Sequence, residues 1–238
     1  MILKMDKVSV WYLSKKDTDR DLRMKARFEK LNISSNLVEW VTKEWLIENG
    51  YSKKVADTYK DYNCMWGHIK MIKQFLKTDK EYGMILEDDV FINKNLPNDI
   101  GFILNKMKHL ELDILLIGYL TDRSPVKVEG INCHNIIVQG MSICSYHDEL
   151  WGTQGYIITR KHAEYVLSKY DESYVTRFPN KEEKIPFSAD WTITKSGKRA
   201  SIYPMYIVDE GTIASTHAGQ VAFHKNCHSF NYKKELFV

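Results

Sequence analysis

Met84-Ile85-Leu86-Glu87-Asp88-Asp89-Val90-Phe91-Ile92 sets three apolar residues before three consecutive carboxylates and three more after them. The apolar run reads as a buried strand, and the acids mark its end. Adjacent carboxylates repel, so an uncompensated cluster costs stability. A hard divalent cation such as Mg²⁺ or Mn²⁺ takes oxygen ligands, offsets that cost and leaves positions for phosphate oxygens. In open α/β sheets, ligands bind beyond the carboxyl ends of the strands, which is where these acids fall. From this stretch alone, a solvated polar turn is an equal reading.

Working outward, residues 82–86 are the strand that leads to the acids. Residues 63–76 before it have Met65, Ile69, Ile72 and Phe75 at helical spacing, with His68 in the first turns. Residues 99–110 read as the next helix and 113–118 as another buried strand. Nearer the N-terminus, residues 7–13 read as the first strand and 14–19 as a polar loop. A helix follows over 20–31, with Asp19 as its N-cap and Leu22, Ala26, Phe28 and Leu31 facing inward. A second strand is placed at 38–41 and a short helix at 43–49, stopped by Gly50. Residues 52–61 carry no clear signal.

Downstream, 136–138 and 141–144 suit a hairpin across Gln139-Gly140. Residues 156–158 enter a strand after Gly152 and Gly155, and 161–170 form a helix with Ala163, Val166 and Leu167 inward. Residues 174–184 are polar and read as mobile, and 201–204 form a late strand. Strands alternating with helices predict an α/β fold with a mixed, mostly parallel central sheet and flanking helices. One domain over 1–238 is the economical description, with 208–238 as a C-terminal flap.

The bulk properties exclude several classes. A net charge of +3 over 238 residues argues against a dedicated nucleic-acid binder. No apolar stretch reaches the length of a transmembrane span. Residues 1–11 show no secretory pattern, so a cytoplasmic location is expected. Cys64, Cys133, Cys144 and Cys227 show neither a Cys-x-x-Cys pair nor zinc-ligand spacing, so free thiols are expected. Oligomeric state is left open. Asp190 stands between Phe187-Ser188-Ala189 and Trp191, where partial burial would raise its pKa as a catalytic base needs. An N-cap role for a helix over 191–195 is the equal alternative.

Four segments together resemble glycosyltransferase family 25, which includes lipooligosaccharide galactosyltransferases and the galactosyltransferase domains acting on collagen hydroxylysine. They are Val8 to Leu13 followed by Asp19-Arg20, then Asn63-Cys64-Met65-Trp66-Gly67-His68, then Ile85-Leu86-Glu87-Asp88-Asp89-Val90, then Trp151-Gly152-Thr153-Gln154-Gly155-Tyr156 running on to Ala163. Pro186-Phe187-Ser188-Ala189-Asp190 stands where the family has Pro-Val-Asp. Asp209-Glu210-Gly211 and the residues after it resemble the collagen-type branch. Gly67 replaces the family's Ser, and the Asp190 segment is two residues longer.

The resemblance implies the GT-A fold, a UDP-sugar donor (UDP-galactose or UDP-glucose) and Mn²⁺ or Mg²⁺. The acceptor would be a collagen-like protein or a glycan. Glu87 and Asp89 would hold the metal as an acid-x-acid pair on one side of an extended segment. His217 would complete it from the tail, with His224 and His228 as alternatives. Asp88, facing the other way, would meet ribose or acceptor. Uridine would lie near Tyr12, Leu13 and Ser14, with Arg20 in reach. His68 would serve the cofactor site, and Gly152, Thr153 and Gly155 would line the sugar or acceptor pocket. Asp190 would take the acceptor proton if configuration inverts.

Overall fold

The computed structural model describes residues 5–60, 62–125, 133–136, 140–145, 150–170, 174, 187–211 and 218–238. Its strands are β1 (Val8–Leu13), β2 (Ser35–Val38), β3 (Tyr82–Leu86), β4 (Val90–Ile92), β5 (Ile114–Leu120), β6 (Cys133–Ile136), β7 (Met141–Ser145), β8 (Trp151–Thr159), β9 (Arg199–Tyr203) and β10 (Ile207–Asp209). The helices are α1 (Asp19–Lys30), α2 (Lys43–Glu48), α3 (Lys53–Ala56), α4 (Asn63–Leu76), α5 (Leu96–His109), α6 (Arg160–Lys169), α7 (Ala189–Thr192) and α8 (Ala218–Asn231).

Among the described residues, eight strands form one sheet in the order β2-β1-β3-β8-β5-β9-β7-β6, and β4 pairs with β10 beside it. Strands β2, β1, β3, β5, β9 and β6 run one way, and β8 and β7 run the other. The sheet is therefore mixed and mostly parallel in direction, as expected.

Both faces are covered, so the central strands are apolar throughout rather than alternating. In β3, Ile85 joins one core while Met84 and Leu86 join the other. In β8, Tyr156 and Ile158 divide from Ile157 in the same way. Helices α4 and α6 supply Trp66, Ile69, Phe75, Ala163 and Val166 to the first core. Helices α1 and α5 supply Met24, Phe28, Ile100 and Ile103 to the second. Burying such side chains contributes about 1.5–3 kcal/mol each, which is what holds the strand ends in register at the site.

Several expectations shift. The N-cap of α1 is Thr18, not Asp19. Its inner face is Asp21, Met24, Arg27 and Phe28, while Leu22 is 53% exposed and Ala26 faces solvent. A partly charged inner face with its own ion partners defeats a reading based on apolar spacing. The second strand lies at Ser35–Val38, ahead of the predicted 38–41. Residues 53–56, without a clear signal, form a short helix capped by Ser52. The hairpin exists as β6 with β7, its first strand three residues early.

The free-thiol expectation fails at Cys144, which is disulfide-bonded, and the backbone register sets Cys133 opposite it. Cys64 and Cys227 are free. Residues 175–184 of the polar stretch lie outside the described residues. No helix among the described residues is long and apolar enough to cross a membrane.

Candidate active site

The site forms on one rim of the sheet. Tyr12 of β1 lies opposite Leu86 of β3, and Leu86 lies opposite Gly155 of β8. Because β8 runs against its neighbours, its first residues arrive where β1 and β3 end. Glu87, Asp88 and Asp89 follow β3 directly, and the chain bends at Asp88 and Asp89 before β4.

That bend overturns the expected alternation. Asp88 and Asp89 turn to the same partner: Arg20 Nη1 lies 3.0 Å from Asp88 Oδ1 and 3.3 Å from Asp89 Oδ2. Ser14 Oγ donates to Asp88 Oδ2 at 2.6 Å. Glu87 leans the other way and accepts from Thr153 Oγ1 at 2.6 Å, with His68 Nε2 at 3.8 Å. Leu13, Arg20, Trp40, Cys64 and the three acids line a cavity of about 270 Å³. A second cleft of about 530 Å³ shares Trp40 and adds Lys15, Trp45 and Lys70.

The electrostatics separate the acids. Burial pushes Asp89 up to about 7, and the charges of Glu87, Asp209 and Asp88 add to the effect against the pull of Arg20. Burial would also raise Glu87, but the His68 imidazole 3.8 Å away and the Thr153 hydroxyl hold it below the usual carboxylate value. Three carboxyl groups on one cavity, crowded in a way that a positive charge would relieve, are a set of hard oxygen donors. It fits Mn²⁺ or Mg²⁺.

A frame of ion pairs holds the acids from behind. The Glu210 N–H donates to the Asp89 carbonyl at 2.7 Å. The Glu210 carboxylate accepts from Arg23 through two nitrogens at 3.2 and 3.0 Å, and from Arg27 at 2.6 Å. Arg27 also donates to the Val90 carbonyl at 2.9 Å. Next to Glu210, the buried Asp209 pairs with His224 Nδ1 at 3.2 Å, and its carbonyl meets His228 Nδ1 at 2.7 Å. Hydrogen bonding to Asp209 raises the His224 pKa despite partial burial, with Asp89 and Glu87 adding to the rise. The tail thus brings up the helix α8, whose His224 and His228 both meet Asp209. His217 lies outside the described residues.

Asp190 sits within α7, whose N-cap is Ser188, so the N-cap alternative is wrong. Its Oδ1 is buried with no hydrogen-bond partner. Burial and the nearby charge of Glu87 push its pKa up to about 6, against His68 and a hydrogen bond from the Gly152 backbone.

Other expected residues do not meet the cavity. Tyr12 is buried on the opposite face, where its hydroxyl donates to Asp21 at 2.7 Å. Leu13, one residue on, does line the cavity, as strand alternation requires. Gly155 is buried in mid-sheet, and a Cβ there would stand 2.8 Å from Ile207 Cγ1, so its role is close packing. Gly152 has φ +114°, a backbone state that favours glycine, and it serves the site through Asp190. Arg23, Arg27 and Glu210 were not read as site support. The signal was weak: two arginines one turn apart in α1, with their partner 183 residues downstream of Arg27.

Comparison with known proteins identifies the family. A sequence model described as glycosyltransferase family 25 (LPS biosynthesis protein) matches residues 8–179. No curated protein matches the chain. Among solved structures, it is similar to a glycosyltransferase involved in glycosylation of the major capsid of PBCV-1. That likeness has a TM-score of 0.41 at 10% identity, covering 92% of this chain and 98% of the other. It is also similar to mannose-1-phosphate geranyltransferase from Thermus thermophilus, at 0.40 and 12%, covering 82% and 73%. HddC from Yersinia pseudotuberculosis complexed with GMP-PN gives 0.39 and 11%, covering 93% and 99%. These low scores carry no further weight. The family match extends from β1 past α6 and takes in the acidic turn, so the chain belongs to glycosyltransferase family 25.

Proposed function

We propose that this glycosyltransferase moves galactose or glucose from a UDP-sugar to a hydroxyl, with hydroxylysine or galactosyl-hydroxylysine of a collagen-like protein as the first acceptor class. The observation that carries the reading is the convergence of Glu87, Asp88, Asp89 and Arg20 on one cavity in a chain of this family. In this reading Asp89 and Glu87 hold Mn²⁺ or Mg²⁺, and His224 takes the part expected of His217. When bound, the cation offsets the negative charge that builds on the departing UDP. Arg20 steadies Asp88 and Asp89, and Ser14 fixes Asp88. Leu13 and Trp40 offer an apolar wall for the uridine, in place of Tyr12.

Asp190 takes the acceptor proton if the reaction inverts. Its unpartnered Oδ1 and its pKa of about 6 leave it ionised and available near neutrality. If configuration is retained, that role lapses. A glycan acceptor is the second reading, favoured by the family description as an LPS biosynthesis protein. The cytoplasmic setting stays part of the proposal. The disulfide at Cys144 is of a kind typical of oxidising compartments, and thiol titration of protein from its native source decides the point.

A screen of UDP-sugars, scored by UDP released with and without a collagen-like peptide, tests the whole reading. Release stimulated by the peptide supports it. Cleavage of phosphodiesters without any sugar donor would replace it with a hydrolase.

A further inference from the structure

Cys64, His68 and Glu87 each offer one ligand atom, and these atoms lie within 4.8 Å of one another. Cys64 and His68 are one turn apart on α4, so they share a face. His68 is fully buried. Its Nδ1 is taken by the Tyr156 hydroxyl at 3.1 Å, while Nε2 has no hydrogen-bond partner and stops 3.8 Å from Glu87 Oε1. An imidazole held by one nitrogen, with the other bare and facing a carboxylate, is the arrangement of a metal ligand and its supporting partner. Thr153 fixes Glu87 in the same supporting way. Cys64 stands in the first turn of the 14-residue α4, whose dipole favours its thiolate, and a coordinating cation deprotonates a thiol outright.

We propose that Cys64, His68 and Glu87 form a binding site for a thiophilic divalent cation of the zinc class. Hard Mg²⁺ and Mn²⁺ prefer oxygen donors, whereas sulfur, imidazole and one carboxylate suit Zn²⁺ or Co²⁺. Tetrahedral zinc geometry sets its ligand atoms roughly 3.3–3.6 Å apart. Side-chain movement of about an ångström closes the present spacing. Binding releases the Cys64 proton to solvent. The site stands without the transferase reading. Only its consequence rests on that reading: an ion here draws Glu87 away from the acidic turn and slows transfer.

The test uses the full chain, with Co²⁺ as spectroscopic stand-in and no nucleotide or sugar present. The expected result is a thiolate-to-cobalt charge-transfer band that Zn²⁺ displaces at one equivalent and Mg²⁺ does not. Cys64→Ser should abolish the band and weaken Zn²⁺ binding roughly tenfold or more, with circular dichroism unchanged. His68→Gln should weaken Zn²⁺ binding similarly, while Cys227→Ser should keep the band. No band in the unmodified chain, or a band lost with Cys227→Ser and kept with Cys64→Ser, overturns the site. Failure of the transferase reading would show in UDP release and leave the cobalt spectrum unchanged.

Discussion

The Ser14 hydroxyl donates to the Asp88 carboxylate at 2.6 Å and so ties the end of the first strand to the acidic turn 74 residues later. Asp88 is thereby fixed before any substrate arrives. Glu87 is fixed separately by Thr153, and Asp89 is set apart by the burial that pushes its pKa up to about 7.

Asp89→Asn removes one of three crowded carboxylates and keeps the shape. Transfer should fall by about 10²–10³-fold, the scale for losing one electrostatic contact to developing charge. The metal-free variant should melt no lower than the parent, because like-charge repulsion is relieved. Chelation of divalent ions should silence the parent as well. UDP release and thermal melting read these outcomes, and full turnover in the variant would remove Asp89 from the chemistry.

If the reaction inverts with Asp190 as its base, turnover should rise with pH through about 6 and then level off as Asp190 loses its proton. Asp190→Asn should flatten that limb and lower turnover about 10²–10⁴-fold, with UDP binding little changed. A pH–rate profile of both proteins at saturating donor checks it. An identical rising limb in the variant assigns the titration elsewhere.

Glu210→Gln leaves the buried Arg27 charge without its carboxylate, at a cost of about 3 kcal/mol at neutral pH. Burial favours the neutral acid, but the bonds from Arg27 and Arg23 outweigh it and hold Glu210 below its usual 4.5. A depressed carboxylate stabilises the fold above its unfolded pKa, and that contribution is lost as pH falls through the folded value. The gap between parent and variant should therefore narrow as pH drops below 4.5. Urea midpoints at neutral and acid pH measure it, and a gap that grows in acid would refute the assignment.

Gly67→Ala would drive a Cβ into the Leu13 Cδ atoms. Overpacking of this kind costs about 1–3 kcal/mol and presses Leu13 toward the cavity. In a Leu13→Ala background the same change should cost much less. A double-mutant cycle from denaturation curves gives the coupling, and strict additivity would show that the two do not share the space.

What was legible in the sequence follows from the same physics. The helix over 63–76 and the strand over 82–86 match their predicted bounds, because each is a continuous run with one dominant periodicity. The acidic turn was readable as a site, since nothing else in the chain compresses three carboxylates so tightly. The orientation of those acids was not readable. Alternation holds only for extended backbone, and the chain bends at Asp88 and Asp89. The inner face of α1 was also hidden, because Arg27 is buried against Glu210, a partner that no local window contains.

The reversed course of β8 has a consequence for how the enzyme can be altered. Leu120 and Trp151 are paired across the ladder, so the excursion between them begins and ends at one point on the rim. That excursion also carries the β6–β7 hairpin, which finishes the sheet beyond β9. An exchange of this segment between related chains would transplant border and rim together, as one cassette, and leave the Ser14–Asp88 clasp with the recipient.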